Sequence, residues 1–143
     1  MKKDETEIVK LDNQLCFPIY VLAREVIKSY RPLLEELEIT YPQYLVLMVL
    51  WEHQKQTVNQ LGEKLALDSG TLTPLLKRLE QKEIIVRNRS KKDERIVEIT
   101  LTEKGNNLRG SACRLHQEMI SQMDITEEEF IELKRIVAKI LKK

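Results

Sequence analysis

The chain has 143 residues, 42% of them hydrophobic, and a formal net charge of +1, so we expect one domain with a buried core and not a nucleic-acid-coating polycation. Its two widely spaced cysteines exclude a secreted disulfide framework. No apolar run has membrane-spanning length and no signal-peptide core follows Met1, so we expect a cytoplasmic protein without a membrane partner.

The first predicted helix follows a polar tail and runs to about Glu36, with Asp12 or Asn13 as its cap. Its apolar band is wide for a surface helix, which indicates packing against more than its own core. The band consists of Leu15, Cys16, Ile19, Tyr20, Leu22, Ala23, Val26, Ile27 and Tyr30. Because of Pro18, either the helix begins near Leu15 or it kinks beside Cys16.

The next helices form a predicted helix-turn-helix. Thr40 and Pro42 mark the start of a central helix that is apolar almost all round. Thr57 opens a short support helix that ends at Leu67. Asp68, Ser69 or Thr71 then caps a recognition helix, and Pro74 favours a late start because an interior proline costs about 3 kcal/mol.

The recognition helix has two contrasting faces. Its leucines recur at steps of three and four residues and share one buried stripe, formed by Leu72, Leu75, Leu76 and Leu79. The remaining surface is small, hydroxylated and cationic, with Ser69, Gly70, Thr71, Thr73, Pro74, Lys77, Arg78 and Gln81. Such a surface can enter a DNA major groove, where small residues allow close approach and polar groups bind phosphates or base edges.

A cationic wing is predicted after this helix. Ile84 to Val86 and Val97 to Leu101 predict two short strands, and the loop between them is too long for a tight turn. Its basic residues are Arg87, Arg89, Lys91, Lys92 and Arg95. A charge run alone is usually a solvated face, but beside a helix-turn-helix it indicates phosphate binding. Helix and wing together predict contact with two grooves of double-stranded DNA.

Two helices complete the chain. Thr102 caps one that is weakened at Gly105 and Gly110 and continues to about Met123. Thr126 and Glu129 form a capping box that opens the last, amphipathic helix. We expect one mainly α domain over 1–143, α+β with a small β wing. Residues 39–101 would form the winged helix-turn-helix, and 1–38 and 102–143 would form a homodimer that reads an inverted repeat.

The element order, Asp93-Glu94-Arg95 in the wing and Leu101-Thr102-Glu103-Lys104-Gly105 after it resemble the MarR family of dimeric winged-helix regulators. The segments LDNQLCF (11–17) and LDSGTLTPLLKRLE (67–80) are similar to the organic hydroperoxide sensors of that family and to their staphylococcal global-regulator relatives. This resemblance implies a transcriptional regulator, expected to be a repressor. It also implies that Asp93 orients Arg95 and that Arg95 reaches into a minor groove.

The resemblance further implies a thiol sensor. Cys16 would be oxidised by an organic hydroperoxide to a sulfenic acid, and the regulator would then release DNA. Hydroxyls of Tyr30 and Tyr41 would hydrogen-bond the sulfur, with Tyr41 donated by the other subunit and Tyr20 nearby. Cys113 is either a resolving cysteine that forms an intersubunit disulfide with Cys16 or an inert interface thiol.

Other chemistries lack support in the sequence. His53 and His116 are isolated, and no Gly-rich phosphate loop or Ser-His-Asp pattern occurs, so we expect no metal, no cofactor and no enzyme. Three alternative functions remain. They are a regulator released by a small phenolic or aromatic ligand, a thiol peroxidase, and a protein-interaction module that docks through its winged helix.

Overall fold

The computed structural model describes residues 4–142, which form eight α-helices, one 3-10 turn (Leu11–Asn13) and three β-strands. The helices are α1 (Glu5–Ile8), α2 (Cys16–Glu36), α3 (Tyr41–His53), α4 (Val58–Leu65), α5 (Ser69–Gln81), α6 (Glu103–Asn107), α7 (Arg109–Gln122) and α8 (Glu127–Ile140). The strands are β1 (Lys55–Thr57), β2 (Ile85–Arg89) and β3 (Val97–Leu101). This mainly helical chain with a small sheet confirms the predicted fold class.

Threonine caps set several helix starts where the sequence predicts them. At α3, the Thr40 hydroxyl accepts the backbone N–H of Gln43 at 3.4 Å, and the Gln43 side chain accepts the backbone N–H of Thr40 at 3.0 Å. The same reciprocal pairs open α4, at Thr57 and Gln60, and α8, at Thr126 and Glu129. Each pair satisfies two N–H groups that the helix leaves free, which confirms these predicted starts.

The beginning of α2 differs from the prediction. Asp12 and Asn13 lie in the 3-10 turn, and no side chain caps α2, so both predicted caps are wrong. The helix begins at Cys16, which places Pro18 in the first turn. An N–H there has no partner within the helix, so proline costs little and no kink is needed at that point. The predicted polar tail also contains the short helix α1.

The core lies between α3, the helix-turn-helix and the sheet. Fully buried residues include Leu47 of α3, Leu61 of α4 and Ile99 of β3. α3 is apolar almost all round and contacts several other elements, as the sequence predicts. The predicted weak point after the wing lies at Leu108, between α6 and α7, instead of at either glycine.

The sheet is antiparallel, with strand order β1-β3-β2. The sequence prediction missed β1, whose three residues pair with Thr100, Ile99 and Glu98 of β3. β2 also extends to Arg89, so the wing loop is shorter than predicted and spans residues 90–96. Consequently, Arg87 and Arg89 lie on a strand and not in the loop.

Three helices meet through lysine side chains. The Lys82 ammonium, at the end of α5, donates to the backbone carbonyl of Glu38, which follows α2. The Lys104 ammonium of α6 donates to the carbonyl of Lys82 at 2.8 Å. The C-terminal end of the recognition helix is therefore tied to both α2 and α6.

Two helices expose broad apolar faces. None of the residues of α8 is buried, and the first half of α2 exposes its large hydrophobic side chains as well. These side chains are Phe17, Ile19, Leu22 and Ile27 on α2, and Ile131, Leu133, Ile136, Val137 and Ile140 on α8. Patches of this kind mark interaction surfaces. Within the described residues, no helix is both long and apolar enough to cross a membrane.

Candidate nucleic-acid interface and thiol site

The recognition helix α5 begins at Ser69, with Asp68 as its cap. The Asp68 carboxylate accepts the backbone N–H of Thr71 at 2.7 Å, and this bond holds the pKa of Asp68 below its usual value. Pro74 is therefore inside the helix, and the predicted late start is wrong. The proline removes only a bond to the carbonyl of Gly70 in the exposed first turn. The cap and the buried leucine stripe offset that loss.

The two faces of α5 are divided as predicted. The four leucines are buried, and the opposite surface is exposed at Ser69, Gly70, Thr71, Thr73, Pro74, Lys77 and Arg78. Within residues 4–142, neither Lys77 nor Arg78 forms an ion pair. The helix therefore presents a small, hydroxylated surface with two uncompensated cations, which suits approach to a phosphate backbone.

The wing tip carries an oriented arginine. Arg95 Nε and Nη2 each donate to the Asp93 carboxylate at 3.1 Å, and the Arg95 backbone N–H donates to the same carboxylate at 3.0 Å. These bonds lower the pKa of Asp93 and raise that of Arg95. The Arg95 side chain is still 90% exposed. The exposed Lys91 and Lys92 lie beside it, so the tip offers three cations.

Arg87 does not belong to this exposed cationic surface. Its Nη2 donates to the Glu80 carboxylate at 3.0 Å, and its backbone N–H donates to the other carboxylate oxygen at 3.2 Å. The side-chain bond from Arg87 lowers the pKa of Glu80. Arg87 is therefore held by Glu80, and its predicted contact with DNA stays a prediction. The sequence prediction missed Glu80, although it precedes Arg87 by seven residues across a short turn.

A cluster of three tyrosine rings, two buried and one half-buried, lies between α2 and α3. The ring centroids of Tyr30 and Tyr41 are 4.9 Å apart, and that of Tyr44 lies 6.0 Å and 6.2 Å from them. Burial raises the pKa of Tyr30 and Tyr41, and it raises the pKa of Tyr44 to about 12. All three hydroxyls therefore keep their protons near neutral pH and can donate. The sequence prediction missed Tyr44, although it lies one helical turn after Tyr41.

Cys16 is remote from this cluster within one chain. It is exposed at the start of α2, and Tyr30 follows fourteen residues later on the same helix, at about 21 Å. Since Tyr41 contacts Tyr30 in the same chain, the expectation that only Tyr41 comes from the other subunit is wrong. A Cys16 sulfur can contact these tyrosines only from a second protomer. Tyr20 is exposed outside the cluster, with Arg24 over its ring at 5.4 Å.

Cys113 is exposed on α7. It lines an open cleft of about 540 Å³ together with Tyr44. Helix α7 also shares a cleft with Leu33 and Leu37, at the C-terminal end of α2. Cys16 precedes Leu33 by 17 residues, or about 25 Å along the helix. A disulfide needs Cα atoms within about 7 Å, which excludes a bridge within one chain.

No group of three or more His, Cys, Asp or Glu side chains among residues 4–142 could hold a metal ion.

The chain is similar to known transcriptional regulators. Residues 28–110 match the family described as the transcriptional regulator SarA/Rot. The organic hydroperoxide resistance transcriptional regulator of Bacillus subtilis is 49% identical over 133 residues, which is 93% of this chain and 90% of that protein.

Solved structures of AbfR, a protein of Staphylococcus epidermidis, are also similar. Reduced AbfR bound to DNA is 39% identical, with 97% of each chain covered and a TM-score of 0.79. Overoxidised AbfR bound to DNA is 41% identical, with 94% of this chain and 98% of that chain covered and a TM-score of 0.73. Disulfide-formed AbfR is 39% identical, with 96% of each chain covered and a TM-score of 0.68.

Proposed function

The chain belongs to the SarA/Rot family of transcriptional regulators, and we propose that it is a DNA-binding redox sensor that loses DNA affinity when Cys16 is oxidised. One observation carries the assignment of the sensor to Cys16. The exposed thiol begins α2, whereas Tyr30, which packs against Tyr41, lies about 21 Å further along the same helix. A two-fold dimer brings each thiol to the tyrosines of the other protomer and so completes two equivalent sites.

DNA binding is assigned to α5 and the wing. The exposed small residues of α5 allow close approach to a major groove, and Lys77 and Arg78 bind phosphates. Arg95 then reaches the adjacent minor groove. The apolar faces of α2 and α8 cover each other across the homodimer, which presents two recognition helices to an inverted repeat of double-stranded DNA. We place this regulator in the cytoplasm with the DNA, as a repressor and not an enzyme.

The signal is an organic hydroperoxide. The Cys16 thiolate attacks a peroxide oxygen, an S–O bond forms, the O–O bond breaks, and the leaving alkoxide takes a proton to become an alcohol. The sulfur is thereby oxidised to a sulfenic acid and the peroxide is reduced. The protonated Tyr30 and Tyr41 hydroxyls donate to the thiolate and stabilise it, which raises the fraction of reactive sulfur.

A second step fixes the oxidised state. The Cys113 thiol of the other protomer attacks the Cys16 sulfenic acid, an S–S bond forms, and water leaves. The relative AbfR is bound to DNA in an overoxidised form. That form favours the disulfide, more than oxygen atoms on the sulfur, as the cause of release.

The lysine contacts at the end of α5 provide a route from thiol to DNA. A disulfide between protomers would displace α2 and α7. Lys82 holds the carbonyl that follows α2, and Lys104 holds Lys82 from α6. Movement of α2 therefore changes the position of α5, and with it the distance between the two recognition helices of the dimer.

The proposal is tested by DNA affinity at fixed salt, with DNA from the chain's own promoter region. Reduced chain, hydroperoxide-treated chain, and Cys16→Ser and Cys113→Ser variants treated alike are compared. We expect a loss of about 100-fold in the native chain only, and dithiothreitol restores binding. Cys113→Ser retains most of its affinity. A Cys16→Ser variant that responds like the native chain would contradict the proposal, and sustained peroxide turnover with a thiol reductant would indicate a peroxidase.

A second candidate function uses the cleft lined by Tyr44, Met48, Trp51 and Cys113. Its volume of about 540 Å³ lies within the range of small-molecule sites, and its accessible surface is mainly apolar, although Glu52, Arg109 and Gln117 also line it. A small phenol bound there would release DNA without oxidation. Titration of the reduced Cys16→Ser variant with salicylate separates this function from the redox switch, because only ligand control predicts a loss of DNA affinity.

A further inference from the structure

The root of the wing is joined to the recognition helix by one carboxylate. Glu80, in the last turn of α5, accepts both the backbone N–H and the guanidinium of Arg87 in β2, at 3.2 Å and 3.0 Å. The two acceptors are different oxygens of the same carboxylate. Glu80 therefore fixes the main chain of the wing as well as a side chain.

Arg87 lies on an edge strand, where its backbone N–H is free to bond with Glu80. β2 is an edge strand, because the sheet order is β1-β3-β2. Arg87 lies opposite Ile99 of β3, and its backbone N–H is bonded to Glu80 instead of to that strand. The carboxylate thus pairs a group that an edge strand leaves open. Arg87 Nε is buried without a partner among residues 4–142, so the guanidinium is held by Glu80 through Nη2.

The connection between helix and wing is short. Only residues 82–84 separate α5 from β2, and Glu83 has a left-handed φ of 58°. At about 3.3 Å per strand residue, the wing tip lies roughly 15 Å beyond Arg87. A tilt of about 10° at the root moves the tip by roughly 3 Å, which exceeds the tolerance of a hydrogen bond. Small changes at the root therefore decide whether Arg95 reaches its groove.

We propose that Glu80 and Arg87 are positioning residues that set the angle between α5 and the wing, so that both reach DNA at once. This role rests on the proposed DNA-binding function. Neither residue contacts DNA in this arrangement. The pair acts through Arg95 at the tip, which is oriented separately by Asp93.

The charge of Glu80 allows a positioning role to be distinguished from a purely electrostatic effect of this residue on DNA affinity. Glu80 carries a negative charge next to the helix that approaches phosphates, so its removal by Glu80→Gln should strengthen DNA binding if charge alone matters. A positioning role predicts the opposite, because the glutamine amide cannot accept both donors as strongly as a carboxylate. Glu83→Gln is the matched control. Glu83 lies three residues away, is exposed, and makes no side-chain hydrogen bond or ion pair within the described residues.

The experiment is a double-mutant cycle on the reduced full chain, with promoter DNA at fixed salt. Native chain, Glu80→Gln, Arg95→Ala, the double variant and Glu83→Gln are compared. We expect Glu80→Gln to weaken binding about 5-fold, Glu83→Gln to leave it unchanged or stronger, and Arg95→Ala to weaken it about 10-fold. In the Glu80→Gln background, Arg95→Ala should cost less than about 2-fold, because the tip no longer reaches its groove.

Each other outcome identifies what is wrong. Equal or tighter binding by Glu80→Gln, or a full Arg95→Ala penalty in its background, overturns the positioning role and leaves the DNA-binding proposal intact. If Arg95→Ala has no effect in the native chain, the proposed wing contact itself fails, and the positioning role fails with it. Unfolding curves at the assay temperature verify that every variant is folded, so reduced affinity does not reflect lost protein.

Discussion

The proposed DNA-reading region and the proposed sensing region differ in how much of each a single chain supplies. The winged helix-turn-helix buries its leucines within the chain, satisfies its helix ends with its own threonines, and orients its wing arginine with its own aspartate. The sensing region has its thiol at one end of α2 and its tyrosines near the other. Its flanking helix α8 has no buried residue.

Regulation can act where two chains must come together. A region that is complete in one chain keeps its shape whether or not a second chain is bound. A site that needs two chains changes whenever their relative position changes, and a bond between the chains changes that position directly. The DNA-reading region should therefore keep its structure, whereas the dimer interface should change its geometry.

Breaking the proposed interface should have the largest effect. Ile136 is 40% exposed in the middle of α8, and Ile136→Glu would place a charge against the second chain at both symmetry-related positions. We expect a monomer at micromolar concentration and a loss of about 100-fold in DNA affinity, because two half-sites are no longer bound together. Sedimentation measures the association state, and circular dichroism should show unchanged helix content.

A graded variant and a control accompany this test. Ile136→Ala should weaken association less. Lys134→Ala, which removes a charged side chain from the same helix, should leave association unchanged. A stable Ile136→Glu dimer, or a monomer with full DNA affinity, would contradict the division between DNA-reading region and interface.

The stability of the DNA-reading region should instead be sensitive to changes in packing within one chain. A Cβ added at Gly105 would lie 2.3 Å from the carbonyl oxygen of Ile84 and 3.0 Å from a Leu101 methyl group. Gly105→Ala should therefore destabilise the fold by about 2–3 kcal/mol, equally at all protein concentrations. Gly110→Ala is the control, because a Cβ there meets no atom within 4 Å. Denaturant unfolding of both variants measures these free energies. Equal losses of unfolding free energy at the two positions would contradict the predicted steric clash at Gly105.

Local patterns in the sequence predict most of the structure of the DNA-reading region. The leucine stripe of α5 and the threonine caps depend on neighbours within four residues, so the prediction and the structure agree there. Strand β1 was missed because Lys55, Gln56 and Thr57 carry no alternation, and they become a strand only by pairing with β3. The pair of Glu80 and Arg87 likewise requires the turn that brings helix and strand together.

The sensing site is less predictable for a different reason. The resemblance to known sensors supplied Cys16, Tyr30 and Tyr41 as residues, but not the chain that provides each of them. That assignment requires the length of α2 and the contact between the two tyrosine rings. Tyr44 was missed because a tyrosine on an apolar helix has no distinctive pattern.

The tyrosines should act on the thiol of the other chain. Removal of the hydroxyls in Tyr30→Phe with Tyr41→Phe should slow Cys16 oxidation about 10-fold, because the thiolate loses two donors, and should leave the DNA affinity of the reduced chain unchanged. Stopped-flow measurement of sulfenic acid formation gives the rate.

Mixed dimers sharpen this test. One chain carries Cys16→Ser, so only the other thiol reacts. If the tyrosine changes lie in the reacting chain, oxidation should be fast. If they lie in the Cys16→Ser chain, it should be slow. The reverse pattern would show that each chain serves its own thiol.

The smallest expected effect is a pH dependence of stability that arises from the tyrosine cluster. Burial raises the pKa of Tyr44 from 10.0 to about 12, so between these values the folded chain keeps a proton that the unfolded chain loses. Stability should therefore be full below pH 10 and should fall as pH rises towards 12. Tyr44→Phe should make this fall shallower, by a few degrees in the thermal midpoint, whereas Tyr20→Phe, at an exposed position, should not. Because the cluster lies within one chain, the Ile136→Glu monomer should show the same alkaline decline as the native dimer. A decline that disappears in the monomer would mean that the second chain buries Tyr44. The environment of the tyrosine cluster would then depend on the dimer interface and not on one chain alone.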